Sequence, residues 1–305
     1  MKHGQLNKPI VCFGEILWDN LPAGRRPGGA PMNVAYHLHQ LGLNSQLISR
    51  VGDDQPGKEL LGFLKQIGLE TGLIQLDAEH ATSEVLATVN ESNDEVTYEI
   101  VYPVAWDYIS WQPEFEALLK ASQAFVFGTL SARNVTSRET LYRMLSHANY
   151  RVYDVNLRAP HYAQEVIDTL LQNADLVKLN SAELLLIARW YHPACKKEAE
   201  GVEVLFNRFD MKEMIITKGS LGATYYTPSF CYEYPAYPVK VADTIGSGDS
   251  FLAAFLAMKL GDEPVDLTLD YAVAMGAFIT SQPGACPPYS QFDFNRFIWK
   301  KKLNF

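Results

Sequence analysis

The chain has 305 residues, of which 48% are hydrophobic and 20% charged, with a formal net charge of −9 at pH 7. That is an ordinary globular composition, and the length suits one large α/β domain with a small appendage. The acidic balance argues against a nucleic-acid or anionic-membrane binder, which needs a broad basic field, but local donors can still bind a small anion. Cys12, Cys195, Cys231 and Cys286 are scattered, with no CxxC and no cluster with histidines. Reduced thiols in a cytosolic protein are therefore expected rather than disulfides or a zinc site. Residues 1–9 carry no apolar signal-peptide core, and no apolar run approaches the ~20 residues of a membrane span. The expected compartment is the cytoplasm.

From the N-terminus, Ile10–Phe13 is a short apolar run ending at Gly14, the pattern of a strand buried on both faces. A glycine-rich loop, Pro27–Pro31, precedes a helix over Asn33–Leu41 that stops at Gly42. A strand over Gln46–Val51 and a helix from about Gln55 to Ile67 follow. Between Thr82 and Val101 the period changes. Val85, Ala87 and Val89 alternate with more polar neighbours, as do Val96, Tyr98 and Ile100 after the turn Glu91-Ser92-Asn93-Asp94. Period two across a polar turn predicts a β-hairpin with one exposed face, part of a small separate sheet. The βα rhythm then returns, with strands at Ala124–Phe127, Arg151–Val155, Leu176–Leu179 and Met214–Thr217. Helices are expected at Ser137–His147, Gln164–Gln172, Ala182–Trp190 and Ala199–Phe209. Such alternation predicts a mostly parallel sheet covered by helices. Two more strands fit Ala223–Thr227 and Cys231–Tyr234, and Ser247–Gln282 reads as largely helical.

Asp243-Thr244-Ile245-Gly246-Ser247-Gly248-Asp249 runs directly into the apolar stretch Phe251–Leu260, which reads as a buried central helix. Its glycines thus sit at a helix N-terminus, where backbone N–H groups lack partners and the dipole is positive. That is an anion cradle suited to charge on a transferring phosphoryl group. In the first turn, Asp249 is expected to stay ionised and to act as a weak base, which suffices for a loose phosphoryl-transfer transition state. Taken alone, the GxGD tetrapeptide also reads as a turn and an N-cap.

The segment resembles the DTxGAGD signature of the ribokinase-like carbohydrate kinases, the PfkB family, with Ser247 where alanine is usual. Gly28-Gly29-Ala30-Pro31-Met32-Asn33-Val34-Ala35 is similar to the family's GGxxxNxA signature, and Gly52-Asp53-Asp54-Gln55-Pro56-Gly57 to its GxDxxG segment. Asp154-Val155-Asn156-Leu157-Arg158 resembles DxNxR, Asn180-Ser181-Ala182-Glu183 matches NxxE, and Thr217–Gly222 matches the TxGxxG nucleotide loop. The resemblance implies a single ribokinase-like domain over 1–305: an α/β three-layer sandwich with a mostly parallel central sheet and a small β-sheet lid. The lid would comprise about 82–108 plus part of 15–27.

It further implies an ATP-dependent sugar kinase using Mg²⁺. Asp249 would be the base, and Gly246, Ser247 and Gly248 the backbone anion hole. Asp19, Gly28, Gly29, Asn33 and Arg158 would bind the sugar; Asn180, Glu183, Thr217, Gly219 and Gly222 would line the ATP site. Many members also bind a monovalent cation, commonly K⁺. Here Asp243, Ile245, Ile279, Gln282 and Gly284 would surround it, with Pro287-Pro288 where a hydroxyl residue often completes that site. Simpler roles compete with these. Asp19 also reads as a turn residue, Asn33 as a helix cap, Glu183 as a solvated helix residue, and Lys218 as surface charge. Tyr98, Tyr102 and Trp106 read as packing or dimer-contact residues before sugar-stacking ones.

The GGAPxNVA form is similar to fructokinases, so D-fructose to fructose 6-phosphate leads, ahead of ribose, 2-keto-3-deoxygluconate, tagatose or a nucleoside. The segment Val101–Asp107 carries no lysine or arginine, against a phosphorylated sugar. A dinucleotide oxidoreductase predicts GxGxxG after the first strand and a P-loop kinase predicts GxxxxGK[ST]; neither is present. A sugar-sensing relative without activity would lack the base, and Asp249 is present. Two lids packing together would make a homodimer.

Overall fold

The computed structural model describes residues 8–21, 24–90 and 95–302, with residues 21, 86–90 and 95–98 described by their backbone alone. The expected turn Glu91–Asp94 and the side chain of Tyr98 lie outside the described residues.

Strand β1 (Ile10–Phe13) is followed by β2 (Leu17–Leu21), β3 (Gly24–Gly28) and helix α1 (Ala30–Gln40). Next come β4 (Ser45–Gly52), α2 (Gln55–Gln66), β5 (Ile74–Asp77), β6 (Ser83–Asn90) and β7 (Glu95–Ile100). The middle of the chain holds α3 (Glu114–Ala121), β8 (Ala124–Gly128), α4 (Val135–Leu145), β9 (Arg151–Asp154) and α5 (Gln164–Gln172). Then follow β10 (Leu176–Asn180), α6 (Ser181–Tyr191), α7 (Glu198–Arg208), β11 (Glu213–Thr217), β12 (Ala223–Tyr226) and β13 (Cys231–Tyr234). Helices α8 (Ser247–Lys259), α9 (Val265–Thr280) and α10 (Gln291–Lys302) come last.

Among the described residues, nine strands form one sheet in the order β13-β12-β11-β10-β9-β8-β1-β4-β5. Pairing is parallel from β11 to β5, and β12 and β13 add an antiparallel edge. Because side chains alternate along a strand, β1 feeds two cores. Ile10 and Cys12 join the core under α1, α8 and α9; Val11 and Phe13 join the one under α3 to α7. This is the three-layer α/β arrangement expected from the sequence.

A smaller sheet has the order β3-β2-β6-β7. Its pairs are antiparallel except β2 with β6, which run parallel. Trp18 Nε1 donates to Pro56 O at 3.0 Å, and Arg25 pairs with Glu59 at 2.9 Å, so β2 and β3 are tied to α2. Asp54 in the GxDxxG segment is structural. It caps α2 through Gly57 N (2.8 Å) and accepts from Thr82 N (2.8 Å) and Oγ1 (2.6 Å), anchoring the base of the β6–β7 hairpin.

Helix α1 begins three residues before its expected start, because Pro31 fits a first turn, where a missing N–H goes unused. Strand β5 and helices α3 and α10 were not anticipated: β5 has four residues, and α10 buries only Phe294 among mostly polar neighbours. No helix among the described residues is long and apolar enough to cross a membrane.

Candidate active site

The carboxyl ends of the parallel strands open onto one cavity of about 910 Å³. This is where open α/β sheets take ligands, beside the strand at which the sheet order reverses, here β1. Glu15 follows β1, Asp154 ends β9, Lys178 and Asn180 lie at the end of β10, and Thr217 ends β11. The smaller sheet supplies the facing wall through Leu17, Asp19, Val85 and Ile100.

At the cavity, Gly246 caps α8 with φ 74°, a left-handed conformation natural to glycine, and offers no side-chain cap. A Cβ there would lie 2.6 Å from that of Ala285. The N–H groups of Gly248 and Asp249 have no partner among the described residues, whereas Ser247 N–H makes a long 3.3 Å bond to Thr244 O. The Ser247 hydroxyl turns to Gly276 O of α9 at 3.4 Å, so serine stands in for alanine without entering the cavity. Asp243 pins the loop, accepting from Ile245 N at 3.0 Å and Gly284 N at 3.1 Å.

Asp249 is 8% exposed. Its Oδ2 accepts from Asn33 Nδ2 at 2.7 Å, and Asn33 Oδ1 accepts from the Cys286 thiol at 3.2 Å. Burial, followed by the nearby Asp154 charge, raises the Asp249 pKa to about 6, against the opposing pull of Lys178, Asn33 and Arg158. The expected stabilisation of the carboxylate by the helix dipole is thus outweighed, although at pH 7 the ionised form still predominates. Asn33 is not the cap of α1. That place belongs to Gly29, and Asn33 sits in the first turn with its amide turned to Asp249.

Two charged groups in the cavity were not picked out from sequence. Lys178 Nζ contacts both oxygens of Asp154 at 2.8 and 2.9 Å, with only 8% and 5% of the two side chains exposed. Burial alone would lower the Lys178 pKa, but Asp154, Asp249 and Glu183 together raise it. A Cβ on Gly248 would come within 3.1 Å of that ammonium, so the Gly246–Gly248 loop lies directly over the pair. A lysine inside the apolar strand Leu176–Asn180 was the available signal. Glu15 is also buried: Oε1 accepts from Ala30 N at 3.2 Å, Oε2 has no partner among the described residues, and burial lifts its pKa to about 7. Its signal was a charge two residues after a buried strand.

Asp19 faces the same cavity, its pKa raised to about 6 by burial. Gly28 does not line the cavity but makes room for that carboxylate, since a Cβ would lie 2.2 Å from Asp19 Oδ2. Gly29 does line it, with φ 112° and the Glu15 carbonyl packed against it. Arg158 is exposed at the cavity and hydrogen-bonds only its neighbour's carbonyl, Leu157 O, among the described residues. On the other side, Asn180 and Glu183 form a reciprocal cap of α6 (2.9 and 2.8 Å), and Glu183 also accepts from Leu157 N at 2.8 Å. Glu183 is therefore a fixed, buried carboxylate rather than a solvated one, with its pKa raised by burial.

Thr217 lines the cavity; Gly219 and Gly222 shape the turn into β12 outside it. Gly222 admits no side chain, because a Cβ would meet Tyr234 O at 2.0 Å. Lys218, expected as surface charge, is 14% exposed between Glu198 (3.1 Å) and Glu233 (2.8 Å). Of the cation candidates, Asp243 and Ile245 reach the cavity, while Ile279, Gln282 and Gly284 do not. Trp106 is core, stacked under the Arg133 guanidinium at 4.0 Å; Tyr102 is half-exposed on the same arginine, and neither lines the cavity.

Residues 20–291 match the model of the pfkB family of carbohydrate kinases. A fructokinase of Klebsiella pneumoniae is 30% identical over 300 residues, covering 92% of this chain and 95% of that protein. The fold is shared with a fructokinase of Xylella fastidiosa with bound ATP, at TM-score 0.85 and 22% identity over 97% of this chain and 100% of that one. A double mutant of Vibrio cholerae O395 fructokinase, bound to fructose, ADP and potassium ion, gives TM-score 0.82 at 22% identity over 95% and 98% of the two chains. The chain belongs to the pfkB family of carbohydrate kinases and is an ATP-dependent sugar kinase.

Proposed function

We propose that the chain transfers the γ-phosphoryl group of ATP to the 6-hydroxyl of D-fructose. The observation that carries this reading is the placement of Asp249, a buried carboxylate in the first turn of α8, beside unpaired backbone N–H groups in a cavity walled by the smaller sheet. Asp249 takes the hydroxyl proton as the sugar oxygen bonds to phosphorus, and ADP departs with the electrons of the broken P–O bond. The N–H groups of Gly248 and Asp249 meet the charge on the transferring group, joined by Gly246 and Ser247 once the Thr244 contact yields. Asp19, Gly29, Asn33 and Arg158 hold the sugar, with Gly28 giving Asp19 its place.

ATP lies along Asn180, Thr217, Gly219 and Gly222 at the ends of β10 and β11. Mg²⁺, when bound, would screen the charge of its phosphates. Asp154 and Glu183 suit it in chemistry, but their oxygens are already taken by Lys178 and by backbone N–H groups, so they fit contact through water. The smaller sheet closes over the sugar and excludes water, which restrains ATP hydrolysis. Fructose is favoured by the fructokinase relatives. The test is ATP consumption against fructose, ribose, tagatose, 2-keto-3-deoxygluconate, fructose 6-phosphate and adenosine. Highest kcat/KM on fructose supports the reading; higher kcat/KM on another acceptor replaces the substrate.

A further inference from the structure

We infer that Cys286 is a positioning residue: its thiol fixes which way the Asn33 amide faces and thereby holds the base, Asp249. This rests on Asp249 being the base. The two ends of an asparagine amide differ in hydrogen-bonding sense, and both ends of Asn33, which is 4% exposed, are committed. The Nδ2 group lies 2.7 Å from Asp249 Oδ2 and the carbonyl oxygen lies 3.2 Å from Cys286 Sγ. An ionised carboxylate only accepts, so the NH₂ end has to face Asp249. The opposite end then needs a donor, and among the described residues the thiol S–H is the one present. Rotating the amide by half a turn would set two acceptor oxygens against each other at Asp249.

The segment carrying Cys286 is gripped by the same face of α1. His37 is fully buried, with Nε2 2.9 Å from Ala285 O and Nδ1 2.9 Å from Tyr289 Oη. A carbonyl only accepts, so Nε2 carries the proton and Nδ1 receives the Tyr289 hydroxyl. Tyr36 donates to Pro287 O at 2.6 Å. Residues 33, 36 and 37 stand on one helical face and thus clamp positions on both sides of Cys286. Ala285 also backs Gly246 of the anion loop, so the clamped segment touches the base's holder and the phosphoryl cradle together. Asp249 Oδ1 makes no side-chain hydrogen bond among the described residues and is left for the sugar hydroxyl.

Serine and alanine remove similar bulk at position 286, but only serine keeps a donor. Cys286→Ser is expected to keep kcat on fructose within about twofold, whereas Cys286→Ala lowers it about 5- to 10-fold with KM changed less than about twofold. In an Asn33→Ala background, Cys286→Ala should change kcat by less than about twofold, since the group it orients is gone. Equal effects of serine and alanine, or effects that multiply independently in the cycle, would overturn the inference by indicating a packing role. Asp249→Asn, assayed in parallel, separates the two levels: activity retained there overturns the base assignment and this inference with it. A second readout needs no turnover. In ¹⁵N-asparagine-labelled protein, the Asn33 side-chain amide signals, assigned with Asn33→Ala, should move in Cys286→Ala and stay near their positions in Cys286→Ser. Unmoved signals in the alanine variant contradict the thiol contact.

Discussion

Replacing Asp249, the proposed base, with its neutral isostere should make the protein more stable while disabling it. Burial raises the Asp249 carboxyl from its ordinary value to about 6, which corresponds to a cost of about 3 kcal/mol for keeping it charged at pH 7. In Asp249→Asn the side chain carries no charge, and its amide oxygen still accepts from Asn33 Nδ2. The variant is therefore expected to gain about 1–3 kcal/mol in urea unfolding at pH 7, part of the gain being lost to imperfect packing. The sign follows from the raised pKa. The folded state binds the proton more tightly than the unfolded chain, so the native protein gains stability as pH falls from about 6 towards 4. The advantage of the variant should accordingly shrink between pH 7 and about pH 4. In the same preparation kcat should fall at least about 100-fold, the usual lower bound for loss of a positioned base. A variant less stable than the parent at pH 7, or a gain independent of pH, would refute the assignment of Asp249 as a strained, buried anion.

The acid limb of kcat/KM for the sugar should drop below about pH 6, and more steeply than one proton allows. Asp249 and Asp19 are both raised to about 6 by burial, and the proposed mechanism needs both ionised; a single-proton limb near pH 4 would contradict this. Lys178→Met leaves Asp154 charged and unpaired in the interior, so unfolding free energy should fall by about 3–5 kcal/mol, and adding Asp154→Asn should restore most of it. An unchanged urea midpoint in the single variant counts against the pair. Ser247→Ala should leave kcat within about twofold because the hydroxyl faces α9 rather than the cavity; a large loss in steady-state kinetics would put that hydroxyl in the chemistry.

Much of the fold was legible because its signals are local. Buried parallel strands such as Ile10–Phe13 and Ala124–Gly128 are continuous apolar runs, and the hairpin showed its period of two. The place of the Gly246–Gly248 loop was legible for the same reason: two glycines before an apolar run mark the start of a buried helix. Less visible were elements that depend on what they pack against. Strand β5 has four residues and exists by pairing with β4, and α10 is mostly polar. Within the site, single positions were readable and pairings were not. Asn33 meets Asp249 across 216 positions of sequence, and Lys178 meets Asp154 across a strand pair; no local pattern encodes either contact. The Asp249 pKa shows the same limit, since helix position predicts stabilisation of the charge while burial, a tertiary property, decides the direction.

The most direct test is to follow the product itself. Purified protein with ATP, Mg²⁺ and [6-¹³C]fructose, monitored by ¹³C and ³¹P NMR, should build a phosphomonoester coupled to carbon 6, with one ADP released per ester. Asp249→Asn should form it at least about 100-fold more slowly. ATP hydrolysis to free phosphate without a sugar ester, or phosphorylation at a different carbon, would contradict transfer to the 6-hydroxyl of fructose.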